Sequence, residues 1–141
     1  MVDSEISLEL RNSLSELNTL DQKLAEFAES LALPPRTLFE IRLALEELVT
    51  NIISYGYTDD ADHWIKIVIS HEDGILIVRV ADDGIPFDPL TIEEPDCQCP
   101  IEQRKIGSLG IHLVKRFTDD MLYERRGKQN ILTLRKRVAL Q

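Results

Sequence analysis

The chain has 141 residues, 43% of them hydrophobic and 29% charged, with 16 Lys and Arg against 25 Asp and Glu for a formal net charge of -9. That length suits one globular domain able to bury a core without disulfide or metal staples. The acidic balance excludes a nucleic-acid surface, which needs a basic face to neutralise phosphates. No run approaches the roughly 18 apolar residues of a membrane helix. The opening MVDSEIS has neither the basic nor the apolar part of a secretory signal, so no membrane contact and a cytoplasmic location are expected.

In chain order, Ile6 to Arg11 alternates apolar and polar residues, the pattern of a short strand. Ser13 followed by Glu16 fits a capping box, predicting a helix through about Ala32 with Leu14, Leu17, Leu20, Leu24 and Phe27 on one side. Pro34 and Pro35 end it, and Pro35 suits the first turn of a second helix running to about Tyr55 and stopping at Gly56.

That second helix carries the most informative pair of residues. At about 100° per residue, Ile41, Leu45, Leu48, Ile52 and Tyr55 fall within an arc of roughly 80° facing the core. Glu47, Asn51 and Ser54 lie together beside this stripe, while Glu46 falls on the other flank. A carboxylate and an amide oxygen four residues apart share a face, where they can hold a magnesium ion and orient a nucleophile; taken singly, they also fit a solvated helix face.

Trp64 to Ser70 and Ile75 to Val80 are β-branched runs around Glu72-Asp73-Gly74, which predicts an antiparallel hairpin. The second run leads into Asp82-Asp83-Gly84-Ile85-Pro86. An aspartate at a strand end can accept a hydrogen bond from an exocyclic amine such as that of adenine, and a glycine beside it lets a flat ring approach the backbone. From there to Lys105 the sequence is acidic and without period, a length that in a compact domain marks a functional or disordered loop. It contains Cys97 and Cys99, which with scattered histidines do not have the spacing of a metal site and are expected to be reduced thiols.

Gly107-Ser108-Leu109-Gly110 then opens a helix from about Leu109 to Phe117, and free N–H groups at such a start can bind phosphate. The segment is not a P-loop, and no dinucleotide fingerprint follows a strand. Strands of about Met121 to Glu124 and Ile131 to Arg137 close the chain around a turn at Gly127 to Asn130. Strands clustered as hairpins favour an α+β fold, a two-layer sandwich with helices on one face of a mixed, mainly antiparallel sheet.

Each motif is weak alone, but their order is specific. A Glu-x-x-x-Asn helix, a strand ending in Asp-x-Gly and a glycine turn opening a helix resemble the GHKL superfamily of ATPases and kinases, the Bergerat fold, over roughly residues 35 to 137. ALEELVTNIISYGY, DDGIPFDP and GSLGIHLVKRFTDDMLYERRGKQNILTLRK look most like the stand-alone anti-sigma regulatory factors, which are serine protein kinases. The resemblance implies ATP and magnesium as cofactors, with Asn51 at the metal and Glu47 as base on the attacking hydroxyl. It assigns the adenine amine to Asp82, ring clearance to Gly84, and the phosphates to backbone N–H groups around Gly107, Ser108, Leu109 and Gly110, with an ATP lid at about 88–106 in a single domain spanning 1–141.

The sequence departs from that pattern at Pro86, where many members have a second glycine; a proline fixes a backbone angle and removes a donor, stiffening the nucleotide pocket. Thr133 is the candidate for the superfamily's late-strand threonine. The implied partners are a small anti-anti-sigma protein of STAS type as substrate and a sigma factor to sequester. Anti-sigma kinases of this type are dimeric, so the first strand and helix either form an interface between copies or cover the sheet. The alternative is an ATP-binding partner switch with little or no kinase turnover. The catalytic half of a histidine kinase fits less well, because the first helix has no histidine and no second helix pair is present.

Overall fold

The computed structural model describes residues 4–89 and 108–138. The chain forms β1 (Ser4–Arg11), a 3-10 turn (Leu14–Glu16), α1 (Leu17–Leu31), α2 (Pro35–Tyr55), β2 (Trp64–Glu72), β3 (Ile75–Asp82), α3 (Ser108–Phe117), β4 (Asp120–Arg126) and β5 (Gln129–Arg137). The strands make one sheet in the order β1-β2-β3-β5-β4, and all four described pairings are antiparallel. The α+β expectation therefore holds, with the mixed sheet narrowed to an antiparallel one.

Strand alternation sends one set of side chains toward the helices. Leu8, Leu10, Ile65, Ile67, Ile69, Leu76, Val78, Val80, Leu132 and Leu134 face Leu20, Leu24 and Phe27 of α1, Ile41, Leu45 and Leu48 of α2, and Ile111 and Val114 of α3 in one buried cluster. Glu5, Glu9, Lys66, Arg79 and Leu122 occupy the opposite, outward face.

Local chemistry accounts for the boundaries. Pro35 occupies the first turn of α2, where its missing N–H is not needed, and Gly56 N–H closes the far end on Ile52 O at 2.8 Å. α1 ends as Ala32 turns left-handed (φ 52) and Leu33 N–H donates back to Ala28 O at 3.0 Å, just before the two prolines. Asp73 and Gly74 both have positive φ (50 and 76), the two-residue turn whose twist suits a hairpin, so Glu72 belongs to β2 and not to the turn.

Three local expectations are corrected. Ser13 makes no capping bond with its side chain; Glu16 reaches back to Arg11 N–H at 3.4 Å instead, and the first turn winds as a 3-10 helix that leaves Leu14 54% exposed. Tyr55, assigned to the core stripe, is half exposed, and it lines the cavity described below instead of packing in the core. The final turn is only Gly127 and Lys128, so Gln129 and Asn130 belong to β5, a difference that matters for the site.

Candidate nucleotide site

Where the C-terminal half of α2 meets the ends of β3 and β5, a cavity opens, lined by Leu48, Asn51 and Ile52 of α2, Val80 and Asp82 of β3, Ile111 of α3, and Tyr123, Asn130 and Leu132 of the last hairpin. Ile85, Phe87 and Tyr55 stand at its mouth, each nearly half exposed or more. Its walls are apolar and its few polar groups converge from opposite sides, the composition of a small-molecule site.

Asp82 is buried, 6% exposed, at the end of β3. Its Oδ1 accepts from Gly84 N–H (2.8 Å) and from Asn130 Nδ2 (3.0 Å), and the described hydrogen bonds leave Oδ2 uncommitted. Burial pushes the carboxyl above the ordinary carboxylate range, while the bonds from Asn130 and Gly84 pull it back.

Asn130, which sequence reasoning placed in a turn and gave no role, is the hub of this end. Besides Asp82, its Nδ2 donates to Ile85 O at 2.8 Å, and its Oδ1 accepts from Phe87 N–H at 3.3 Å and from the Tyr123 hydroxyl. Both faces of the amide are used, so Asp82 is held in one rotamer and the chain from residue 84 to residue 87 is pinned to β5. Thr133, the candidate late-strand residue, pairs with Arg79 and Leu122. It therefore lies on the outward face, odd in register where Asn130 and Leu132 are even. The register that would have found Asn130 is set by a turn two residues long.

Gly84 has a reason for being glycine inside the protein itself. A Cβ there would lie 2.5 Å from Gly56 O and 2.9 Å from Asp82 Oδ1. Ile85 N–H donates to that same Gly56 carbonyl at 2.8 Å, and Arg125 Nη1 donates to Gly84 O at 2.8 Å. The turn is thus clasped by the end of α2 on one side and β4 on the other. Gly84→Ala is expected to force the turn off Gly56 and to destabilise the fold by about 1–3 kcal/mol. Urea unfolding checks this; an unchanged midpoint would show that the two backbones separate freely.

On α2, Asn51 lines the cavity, and its buried Nδ2 has no hydrogen-bond partner among the described residues. Glu47 sits one turn earlier, half-buried and outside the cavity lining. Glu46 falls on the other flank as expected, facing α1: burial first, then Asp21, raises its carboxyl above the ordinary range. Pro86 stands exposed between Ile85 and Phe87. Ser108, Leu109 and Gly110 form the first turn of α3. Gly107, Cys97, Cys99 and all but the first two residues of the expected lid lie outside the described residues.

Residues 10–136 match the family model of the histidine kinase-like ATPase domain, and the chain belongs to that family. It is similar to the serine/threonine-protein kinase BtrW of Bordetella bronchiseptica, 26% identical over 70% of each chain. It also resembles the anti-sigma F factor of Geobacillus kaustophilus, 25% identical over 82% of this chain and 80% of that one. The serine-protein kinase RsbW of Bacillus thuringiensis is 29% identical over 58% of this chain and 53% of its own. A solved Mycobacterium tuberculosis structure with RsbU and RsbW domains has the same fold, with a TM-score of 0.70 at 16% identity over 96% of this chain and 32% of that one. Among the described residues no helix is long and apolar enough to cross a membrane.

Proposed function

We propose that the protein is an ATP-dependent serine protein kinase that phosphorylates a small anti-anti-sigma protein and holds a sigma factor in the alternative state. The observation that carries this reading is the cavity itself, which joins a carboxylate locked for an amine at one end to an unpartnered amide on α2 at the other. The relatives named as serine kinases and as an anti-sigma factor support it.

In this reading adenine lies among Ile52, Val80, Ile85 and Leu132 with its amine on Asp82 Oδ2, and the phosphates run toward Asn51 and the start of α3. Free N–H groups at that start suit phosphate oxygens. Asn51 can offer magnesium a neutral side-chain oxygen beside the phosphates, which suits an ion that keeps several waters and shares phosphate ligands, while its buried amide nitrogen is a donor for a phosphate oxygen. Bound there, the ion would neutralise charge developing on the phosphoryl oxygens. Glu47, one turn away, takes the proton from the substrate serine and orients its oxygen. The expected substrate is of STAS type and the working unit a homodimer.

The test is incubation with ATP, magnesium and the STAS-type protein encoded nearest its gene. A rise in melting temperature with ATP, as mass action requires of a ligand bound to the native state, and phosphoserine on the partner are expected. A thermal shift without phosphoserine would leave a partner-holding switch, and no shift would end the ATP reading.

A further inference from the structure

The loop between α2 and β2 ends in a histidine that the mechanism leaves unused. His63 Nδ1 lies 3.1 Å from both carboxylate oxygens of Asp83, and Nε2 lies 2.7 Å from Asp59 Oδ1. The ring stacks on Tyr57, centroids 4.1 Å apart and planes 12° from parallel. A neutral imidazole has one N–H and one lone pair. Two carboxylates against both nitrogens are satisfied only by the imidazolium, which donates twice.

The placement of this bridge gives it consequence. Asp83 follows Asp82, so the ring grips the turn that presents the amine-reading carboxylate. The loop's first residue, Gly56, grips the same turn through Ile85 N–H. The loop is itself anchored to the end of β1: Asn12 N–H donates to His63 O, His63 N–H to Asn12 Oδ1, and Asn12 Nδ2 to Ala61 O, each at 3.1 Å. Loop 56–63 is therefore a strap fixed at both ends, and His63 is its charged fastening between Asp59 and Asp83.

We propose that His63 is a positioning residue for nucleotide binding, its imidazolium tying loop 56–63 to Asp83 and so holding the 82–85 turn in the shape that meets the purine. This rests on the ATP reading above. The groups facing the ring are Asp59 and Tyr57 of its own loop and Asp83 after β3.

The hydrogen bonds to Asp59 and then Asp83 raise the His63 pKa above its ordinary 6.5, and the bond from His63 is the main cause that lowers Asp59. A raised folded-state value means the bridge is fully made below the ordinary value and is lost as pH climbs through the raised one. Both carboxylates are substantially exposed, so the effect is modest.

Titrating wild-type protein with a fluorescent ATP analogue and magnesium from about pH 6 to about pH 9 is expected to show affinity falling about two- to fivefold, with His63→Gln weaker at the acid end and flatter. The nucleotide's own titration is common to both and cancels in their ratio. His63→Arg, whose planar cation can serve both carboxylates and stack on Tyr57, is expected to restore the affinity without the fall. A ratio of wild type to His63→Gln that does not change with pH overturns the proposal; were His63→Gln to unfold, Asp83→Asn tests the same bridge by the same ratio. Wild-type protein that binds no nucleotide at any pH would instead overturn the ATP reading.

Discussion

Replacing Glu47 by Gln is expected to lower phosphoryl transfer to the partner serine by about 10²- to 10⁴-fold while ATP affinity changes by less than about twofold. Glu47 is outside the cavity lining and one helical turn before Asn51, and in the proposed reading its carboxylate meets the incoming hydroxyl and not the bound nucleotide. The amide of Gln keeps the shape and loses the proton acceptor, which separates base chemistry from packing. Single-turnover transfer measured alongside nucleotide titration gives both numbers. Transfer within about threefold of wild type would remove Glu47 from the chemistry and leave it orienting at most.

The second large effect is expected at the other end of the cavity. In Asp82→Asn the Oδ1 bonds from Gly84 and Asn130 survive, because an amide oxygen accepts as a carboxylate does. The change falls on Oδ2, which becomes an NH₂ pointing at the adenine amine, donor against donor. Loss of a charge-assisted bond with a donor left unpaired corresponds to about 1.5–3 kcal/mol, or roughly a 10- to 150-fold loss of ATP affinity. Guanine presents an acceptor where adenine presents that amine, so the preference for ATP over GTP is expected to narrow as well. Equal losses for both nucleotides would mean that Asp82 acts through the turn and not on the base.

Most of the framework was legible because punctuation and periodicity agree along the chain. Pro35 and Gly56 bounded α2 to the residue, and Asp73-Gly74 fixed the β2–β3 hairpin, since each requires a backbone state that few other residues supply. Helical spacing alone separated Glu47 from Glu46, and Glu46 does face α1. The end of the site that was misread depended on pairing partners far apart in sequence. Nothing between residues 82 and 130 announces that β5, not β4, lies beside β3, so Asn130 looked like a turn residue and Thr133 stood as the late-strand candidate. The contact of Gly84 with Gly56 was equally hidden, because Gly56 is a long way back along the chain. The strap of residues 56–63 was invisible for the same reason: its fastening joins Asp59 to Asp83.

That long-range pairing also orders events in time. Asp82 gains its orienting partner only when β3 has met β5, a contact between residues 48 apart that must wait for the chain between them to close. Helices and the β2–β3 hairpin can form without it. A nucleotide therefore has no reader to bind until folding is nearly complete, and it will slow unfolding while leaving the folding rate almost untouched. In the proposed partner-switching reading, this makes the ligand a brake on the lifetime of the finished fold and not a template for making it.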